Sequence, residues 1–448
     1  MIIHIVFLFF YFVFGSEIPT EYLIVVAIIE ATLALTYQIR KNKDYVTSYT
    51  VNLVALVLVN LGNISLLHRI DTGTNYMYSF ASNVDIPQAA LIWCAGNSVY
   101  FIGYQVFSQK SLPKINFNFD AKAVAKIFYF IFSITLLFLT PLGSLVSALG
   151  SISKIFLLAG SIGILFFARL WAAENNKTYR NYALILFFIE TISAMLHAYL
   201  RAAIILPTVV FMAGYFAGLG NIKYLFTYRI IPFLIWIAMF INVFSTLGQS
   251  RSSFGTAIVN EYFSFDDDEQ QVQFDDVYNE QTDRGGFLDR SASLAQGSSI
   301  VKLVKSHGFY EGAASAPLFY AFIPRFLWPD KPKVALGQWF AVEIGAGYVN
   351  DGVVNNSINM TIPAELYLDY GWLGVFIGCF LFGGFVSSLW NSTMFNDSNY
   401  NLYGAIYGGY ILVMSFIGMS GDLQILITFI STYIVFLILK KITCAYFV

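Results

Sequence analysis

The sequence predicts an all-α integral membrane protein of about twelve transmembrane helices, with one large extracytoplasmic loop between the ninth and tenth. Three observations predict it. Of 448 residues, 57% are hydrophobic and only 12% are charged, whereas a soluble domain carries about 25% charged residues. Apolar runs close to the roughly 20 residues needed to cross a bilayer recur along most of the chain. A single long polar interval, 249–368, interrupts them.

The apolar runs fall near 2–15, 20–38, 49–68, 87–108, 124–143, 152–172, 181–199, 202–220, 230–248, 371–390, 402–419 and 423–439. The first lacks a basic leader and a small-x-small cleavage site, so it reads as a membrane helix rather than a signal peptide. Short-loop cations set the orientation. With the N-terminus inside, the inner loops carry Arg40, Lys41 and Lys43, then Lys110, Lys114 and Lys122, then Lys177 and Arg180, then Lys223 and Arg229. Lys440 and Lys441 follow the last run, again inside. The opposing short loops hold little beyond Arg69, Lys154 and Arg201. The chain therefore divides into 1–248 with nine spans, 249–370 as the outer loop, and 371–448 with three spans, both termini lying in the cytoplasm.

Several classes are disfavoured. No surface suits nucleic acid, and no internal repeat suggests a transporter built from two related halves. Cys94, Cys379 and Cys444 lie far apart in apolar surroundings, without metal spacing, and read as small core residues. The glycines of the last three spans, Gly371, Gly374, Gly378, Gly383, Gly384, Gly404, Gly408 and Gly409, read as close helix contacts.

Within the loop, the acidic stretch 265–283 cannot bury enough apolar surface to order itself and matches no calcium-loop pattern. The stretch 287–309 interleaves Leu288, Leu294, Ile300, Val301 and Leu303 with polar residues, as an amphipathic helix on the membrane or capping the bundle would.

Ionisable residues in or beside the bilayer are costly and point to function. Glu190, His197 and Arg201 are spaced i, i+7 and i+11, which places them within about 40° on one helical face. Arg251 follows the ninth run, where a helix-end charge at the interface is the plainer reading. Arg284 and Arg290 lie among carboxylates, where solvated pairing accounts for them; Arg290 stays in the candidate substrate-binding set. Between Pro324 and Lys333, three prolines stiffen a segment carrying Arg325, Lys331 and Lys333. Arg supplies a bidentate fork and Lys a point charge, so such a segment beside headgroups suits a phosphate, or meets anionic lipid. Glu365 follows Pro363, a position that helix-start preferences alone also explain. Tyr367 lies beside it, and Asp422 carries the charge of the last outer turn.

These residues resemble a known family. Arginines after the seventh and ninth spans, the motif Ile323-Pro324-Arg325-Phe326-Leu327-Trp328-Pro329-Asp330-Lys331-Pro332, and Glu365 followed by Tyr370-Gly371-Trp372-Leu373-Gly374 are similar to the Wzy-type polymerases of O-antigen and exopolysaccharide repeat units. The motif similarity is concentrated in 320–375, and the acidic insertion after Phe263 has no counterpart in the family. The resemblance implies a glycosyltransferase of the C-type (GT-C) superfamily in the bacterial cytoplasmic (inner) membrane. Its substrate would be an undecaprenyl-diphosphate-linked oligosaccharide, among membrane lipids and with a chain-length regulator protein as a partner.

By that resemblance Arg201, Arg251 and Arg325 correspond to the family's arginines, and Glu365 to its loop acid. Fixed cations suit a departing diphosphate. Arg201 and Arg325 with Glu365 form the catalytic set; Arg251, Lys331, Lys333, Arg290, Asp422, His197 and Tyr367 form the substrate-binding set. Glu365 is the candidate base, ahead of His307. With no His/Asp ligand cluster and no aspartate pair suited to magnesium in the sequence, a metal-independent reaction without cofactor is expected. A ligase using another acceptor, or a flippase for the lipid-linked glycan, are the alternatives.

Overall fold

A computed structural model describes residues 1–41, 46–71, 80–120, 123–138, 159–197, 201–219, 231, 292–321, 328, 336–347, 349–350, 353–354, 357–397 and 399–447. The helices in chain order are α1 (Ile2–Phe14), α2 (Thr20–Lys41), α3 (Ser48–Asp71), α4 (Ile86–Val106), α5 (Val124–Phe138), α6 (Ala159–Glu174), α7 (Lys177–His197) and α8 (Arg201–Leu219). After the acidic stretch come α9 (Leu294–His307), the short α10 (Pro317–Ala321) and α11 (Leu336–Glu343). One antiparallel pair, β1 (Val349–Asn350) with β2 (Val353–Val354), precedes α12 (Ile362–Leu373). A π-turn at Gly374–Gly378 joins α12 to α13 (Cys379–Thr393), and α14 (Leu402–Ile417) and α15 (Gln424–Phe447) complete the bundle.

The chain is a helical membrane protein. Among the described residues, five stretches are long and apolar enough to cross a bilayer: Thr20–Lys41, Ser48–Asp71, Ile362–Thr393, Leu402–Ser420 and Gln424–Cys444. Ile2–Phe14, Val124–Leu137 and Pro207–Leu219 are shorter apolar helices. Residues 139–143 and 152–158 of two expected runs, and all but one residue of the run at 230–248, lie outside the described residues.

Two helices act as hubs. Helix α4 packs against α1, α2, α9, α12 and α13, and α6 packs against α5, α7, α8 and α14. Their burial explains their composition. Helix α4 is enclosed along most of its length, so it carries Asn97 and Ser98 without exposing them to lipid. Helix α14 links the two groups through contacts with α3 and α6.

Close approach depends on the absence of side chains. A Cβ on Gly383 of α13 would lie 2.0 Å from the Tyr100 carbonyl oxygen of α4, and one on Gly103 would lie 2.1 Å from that of Phe380. The two backbones therefore touch, an arrangement that gains dispersion contact without any hydrophobic drive between helices.

One end of the bundle is sealed by backbone pairing. Leu112 and Ile115 donate to the carbonyls of Ser388 and Ser392, and Phe119 donates to Tyr400. Lys440 reaches the Lys114 carbonyl at 2.8 Å. The opposite end gathers α9, the start of α4, the start of α12 and the α14–α15 turn.

Two expectations change. The helix expected from about 371 begins at Ile362 and carries a break at Gly371, its two early carboxylates being bonded to backbone amides. Arg201 is the first residue of α8, and residues 198–200, between it and α7, lie outside the described residues. Cys444 is exposed, unlike the buried Cys94 and Cys379. The amphipathic stretch forms a helix, α9, that buries Leu294, Ile300, Val301 and Leu303 against the bundle.

Gly383→Leu is expected to destabilise the fold by at least about 1–3 kcal/mol, since overpacking forces the two backbones apart. Thermal unfolding in detergent reads this as a lowered midpoint. Ile442→Ala, on a side chain 48% exposed, is expected to leave the midpoint unchanged.

Candidate functional site

Helix α12 starts after Thr361, whose φ of 67° lies outside the helical region, and Pro363 sits in its first turn with its fixed φ already suited to a helix. The Pro363 ring packs against Gly96 of α4, where an added Cβ would lie 2.7 Å away. That contact fixes the height of Glu365, two residues on.

Glu365 is fully buried, with no solvent exposure. Its Oε2 accepts a hydrogen bond of 2.8 Å from the Leu423 amide in the turn between α14 and α15. Its Oε1 has no hydrogen-bond partner among the described residues. A buried acceptor without a donor is costly and calls for an explanation. Asp369 and Asp422 both act electrostatically on Glu365. Asp369, one turn further along the same face, accepts from the Ala314 and Ser315 amides at 3.0 and 2.8 Å.

The strand of chain after α9 is tied to this helix. Tyr310 and Glu311 donate from their amides to the carbonyls of Leu368 and Asp369. Those carbonyls are free because α12 breaks at Gly371, with φ 61° and ψ −147°. The Phe309 ring fills the space beside Gly371, 2.8 Å from where a Cβ would stand. Only glycine meets both the positive φ and that contact.

Tyr367 points elsewhere. Its hydroxyl accepts from Gln88 Nε2 at 2.7 Å, and its ring meets Phe309 and Trp372 edge-on at 5.9 Å. Two residues from Glu365, it lies on another face of the helix.

Beside this group, Lys305 on α9 pairs with Asp85 at 2.5 Å, and the Ser82 hydroxyl donates to the same carboxylate. Desolvation opposes ionisation of Asp85, but the bonds from Lys305 and Ser82 outweigh it and hold the carboxyl below its ordinary value. At the start of α9, Asn63 of α3 accepts from the amides of Ser293 and Leu294 at 2.7 and 3.2 Å, satisfying donors that a helix terminus leaves open.

Of the residues picked out in the sequence, Glu365 and Asp422 come together. Tyr367 faces away from them, and His307 is exposed at the end of α9, bonded to Ser306. Glu190 packs against Gly160 of α6. Arg251, Arg284, Arg290, Arg325, Lys331 and Lys333 lie outside the described residues, as do the acidic stretch and the side chains of His197 and Arg201. Sequence reasoning passed over Asp369, although its i+4 spacing from Glu365 was a usable signal. It also passed over Asp85, which its partner on a distant helix explains.

A family model described as a domain of unknown function, DUF8712, matches residues 61–445. The chain belongs to that family. The match runs from within α3 to within α15 and so includes Glu365, Asp369, Asp422 and the Asp85–Lys305 pair. No curated protein and no solved structure matches the chain.

Two outcomes follow from the geometry. Asp369→Asn presents one amide N–H to a backbone donor and is expected to cost about 1–3 kcal/mol. Hydrogen exchange at Ala314 and Ser315 should accelerate accordingly. The Asp85–Lys305 contribution has a defined sign: with the folded carboxyl titrating below its unfolded value, it is present above about pH 4 and lost as the pH falls through the lowered value. Lys305→Met should therefore speed exchange in α9 at neutral pH, and the difference from the unmodified protein should shrink as the pH falls through the lowered value.

Proposed function

We propose that the protein is a membrane glycosyltransferase that polymerises undecaprenyl-diphosphate-linked oligosaccharide repeat units. It has twelve spans in this reading, with both termini in the cytoplasm and 249–370 on the extracytoplasmic face of the bacterial inner membrane. The observation that carries the reading is Glu365, buried, held through Oε2 and left open at Oε1.

A carboxylate so placed offers one acceptor site to a hydroxyl. In the proposed reaction the terminal sugar hydroxyl of a new unit donates to Oε1 and gives up its proton as its oxygen bonds the anomeric carbon of the growing glycan. The bond from that carbon to the diphosphate breaks, and the leaving charge passes to Arg201, Arg251, Arg325 and Lys331. Such fixed charges stabilise a departing anion better than mobile solvent does. Access to Glu365 requires the turn at Leu423 to move aside, since that turn supplies the bond to Oε2. Asp369 keeps the chain at 314–315 in register with the helix that carries the base.

Purified protein in lipid, given the lipid-linked repeat unit with and without EDTA, tests the reading. The expected result is a ladder of longer lipid-linked glycans that survives EDTA. Glu365→Gln should slow its formation by roughly 10²–10⁴-fold, the usual worth of a general base, and Arg325→Ala should abolish it. No ladder from folded protein given its native substrate would remove polymerisation. Transfer to a different acceptor in the same assay would instead identify a ligase.

A further inference from the structure

Helices α1 to α4 enclose a polar cluster that the reaction proposed above does not use. At its centre Glu30 is 3% exposed and His4 fully buried. Glu30 accepts from the Tyr11 hydroxyl at 2.7 Å and from the Ser98 hydroxyl, which bridges both its oxygens at 2.8 and 2.9 Å. His4 Nδ1 lies 2.7 Å from Glu30 Oε1, and His4 Nε2 lies 2.7 Å from the Tyr49 hydroxyl. Phe101 stacks on the imidazole at 5.0 Å. The Tyr49 oxygen accepts in turn from Gln105 Nε2 at 2.5 Å. Gln105 is half-buried at the bundle surface, and its other amide atom accepts from the Met1 amine.

Hydrogen-bond counting leaves two states. With Glu30 taken as a carboxylate, its oxygens accept from the hydroxyls of Tyr11 and Ser98 and from His4 Nδ1, which then carries a proton. With His4 neutral, Nε2 accepts the Tyr49 hydroxyl proton while the Tyr49 oxygen accepts from Gln105. Every bond is then made, but a net negative charge stays within the membrane bundle, which is expensive. With Nε2 protonated as well, the charges cancel and the imidazolium faces an aromatic ring, a favourable contact. The Tyr49 hydroxyl hydrogen must then turn away. One state is right in its bonds and the other in its charge, and they differ by a single proton.

The other titratable groups facing the pair are Tyr11 and the Met1 amine on α1, Tyr49 on α3, and Cys94 and Tyr104 on α4. Tyrosine and cysteine are ordinarily neutral near pH 7. Among the described residues, His4 is the basic group within ion-pair distance of Glu30, and it is a cation only with both ring nitrogens protonated.

We propose that the His4–Glu30 pair is an intramembrane proton-binding site, loaded through Tyr49 from the end of the bundle where Gln105 meets solvent. On loading, Tyr49 gives its hydroxyl proton to His4 Nε2 and takes another from water at Gln105. One N–H bond forms, one water-borne proton is consumed, and no other group changes its protonation. Sequence reading missed the site because its members come from four helices, with residues up to 104 positions apart in contact.

The test is the ¹⁵N spectrum of histidine-labelled protein in lipid, from pH 5 to pH 9, with the His4 signals assigned by His4→Gln. Nδ1 is expected to stay protonated throughout, while Nε2 passes from unprotonated to protonated as the pH falls. Glu30→Gln should lower that midpoint by at least about one pH unit, a tenfold loss of proton affinity. Tyr49→Phe should slow exchange at Nε2 at least tenfold. An Nε2 that keeps one state across the range in the unmodified protein overturns the proposal without any variant having to fold. An unchanged midpoint in Glu30→Gln removes Glu30 from the site, and unchanged exchange in Tyr49→Phe removes the route through it.

Discussion

The rest of the structure depends on the enclosure of helix α4. Its polar residues are tolerable only if neighbouring helices meet them, since an unpartnered polar group in lipid costs several kcal/mol. So α1, α2 and α3 bring Glu30, Tyr49 and Asn52 to one side, α13 presses its glycines against another, and α9 and α12 close the end. Asn52 Nδ2 donates to the Tyr100 hydroxyl, and Trp93 donates to Asn60 on α3 at 2.9 Å. Satisfying one helix in this way fixes the positions of six others.

That enclosure explains where the Glu365 group sits. The α4 start carries Asp85 and Gln88, which hold Lys305 and Tyr367. One helix therefore positions both α9 and the head of α12, and the carboxylates of α12 take their height from the contact between Pro363 and Gly96. The two polar groups, at Glu365 and at Glu30, are built on opposite portions of the same helix.

Much of the helical framework was legible in hydropathy, because lipid imposes length and apolarity on each outward face. The broad sense of a helical membrane bundle, and of α9 as an amphipathic helix packed on it, followed from spacing alone. Helix boundaries were less legible where charge and structure disagree. Glu365 and Asp369 look like the end of an apolar run, yet backbone amides neutralise their cost and the helix continues through them. The acid at 365 could be singled out from its Pro363 neighbour and the family resemblance. Asp422 could be singled out as the charge of the last outer turn, but the bond from the Leu423 amide, 58 residues away, could not. The pairing of His4 with Glu30 was invisible for the same reason: residues on different helices leave no periodicity behind.

The break at Gly371 also sets a depth. From Trp372 to Thr393 the chain rises about 1.5 Å per residue, giving roughly 33 Å, which already spans a hydrocarbon core of about 30 Å. The nine residues before the break are thus surplus to the crossing, and Glu365 stands about 9 Å above Gly371 along its own axis. The break thus divides one apolar stretch into a length sufficient for the crossing and a short head that carries both carboxylates.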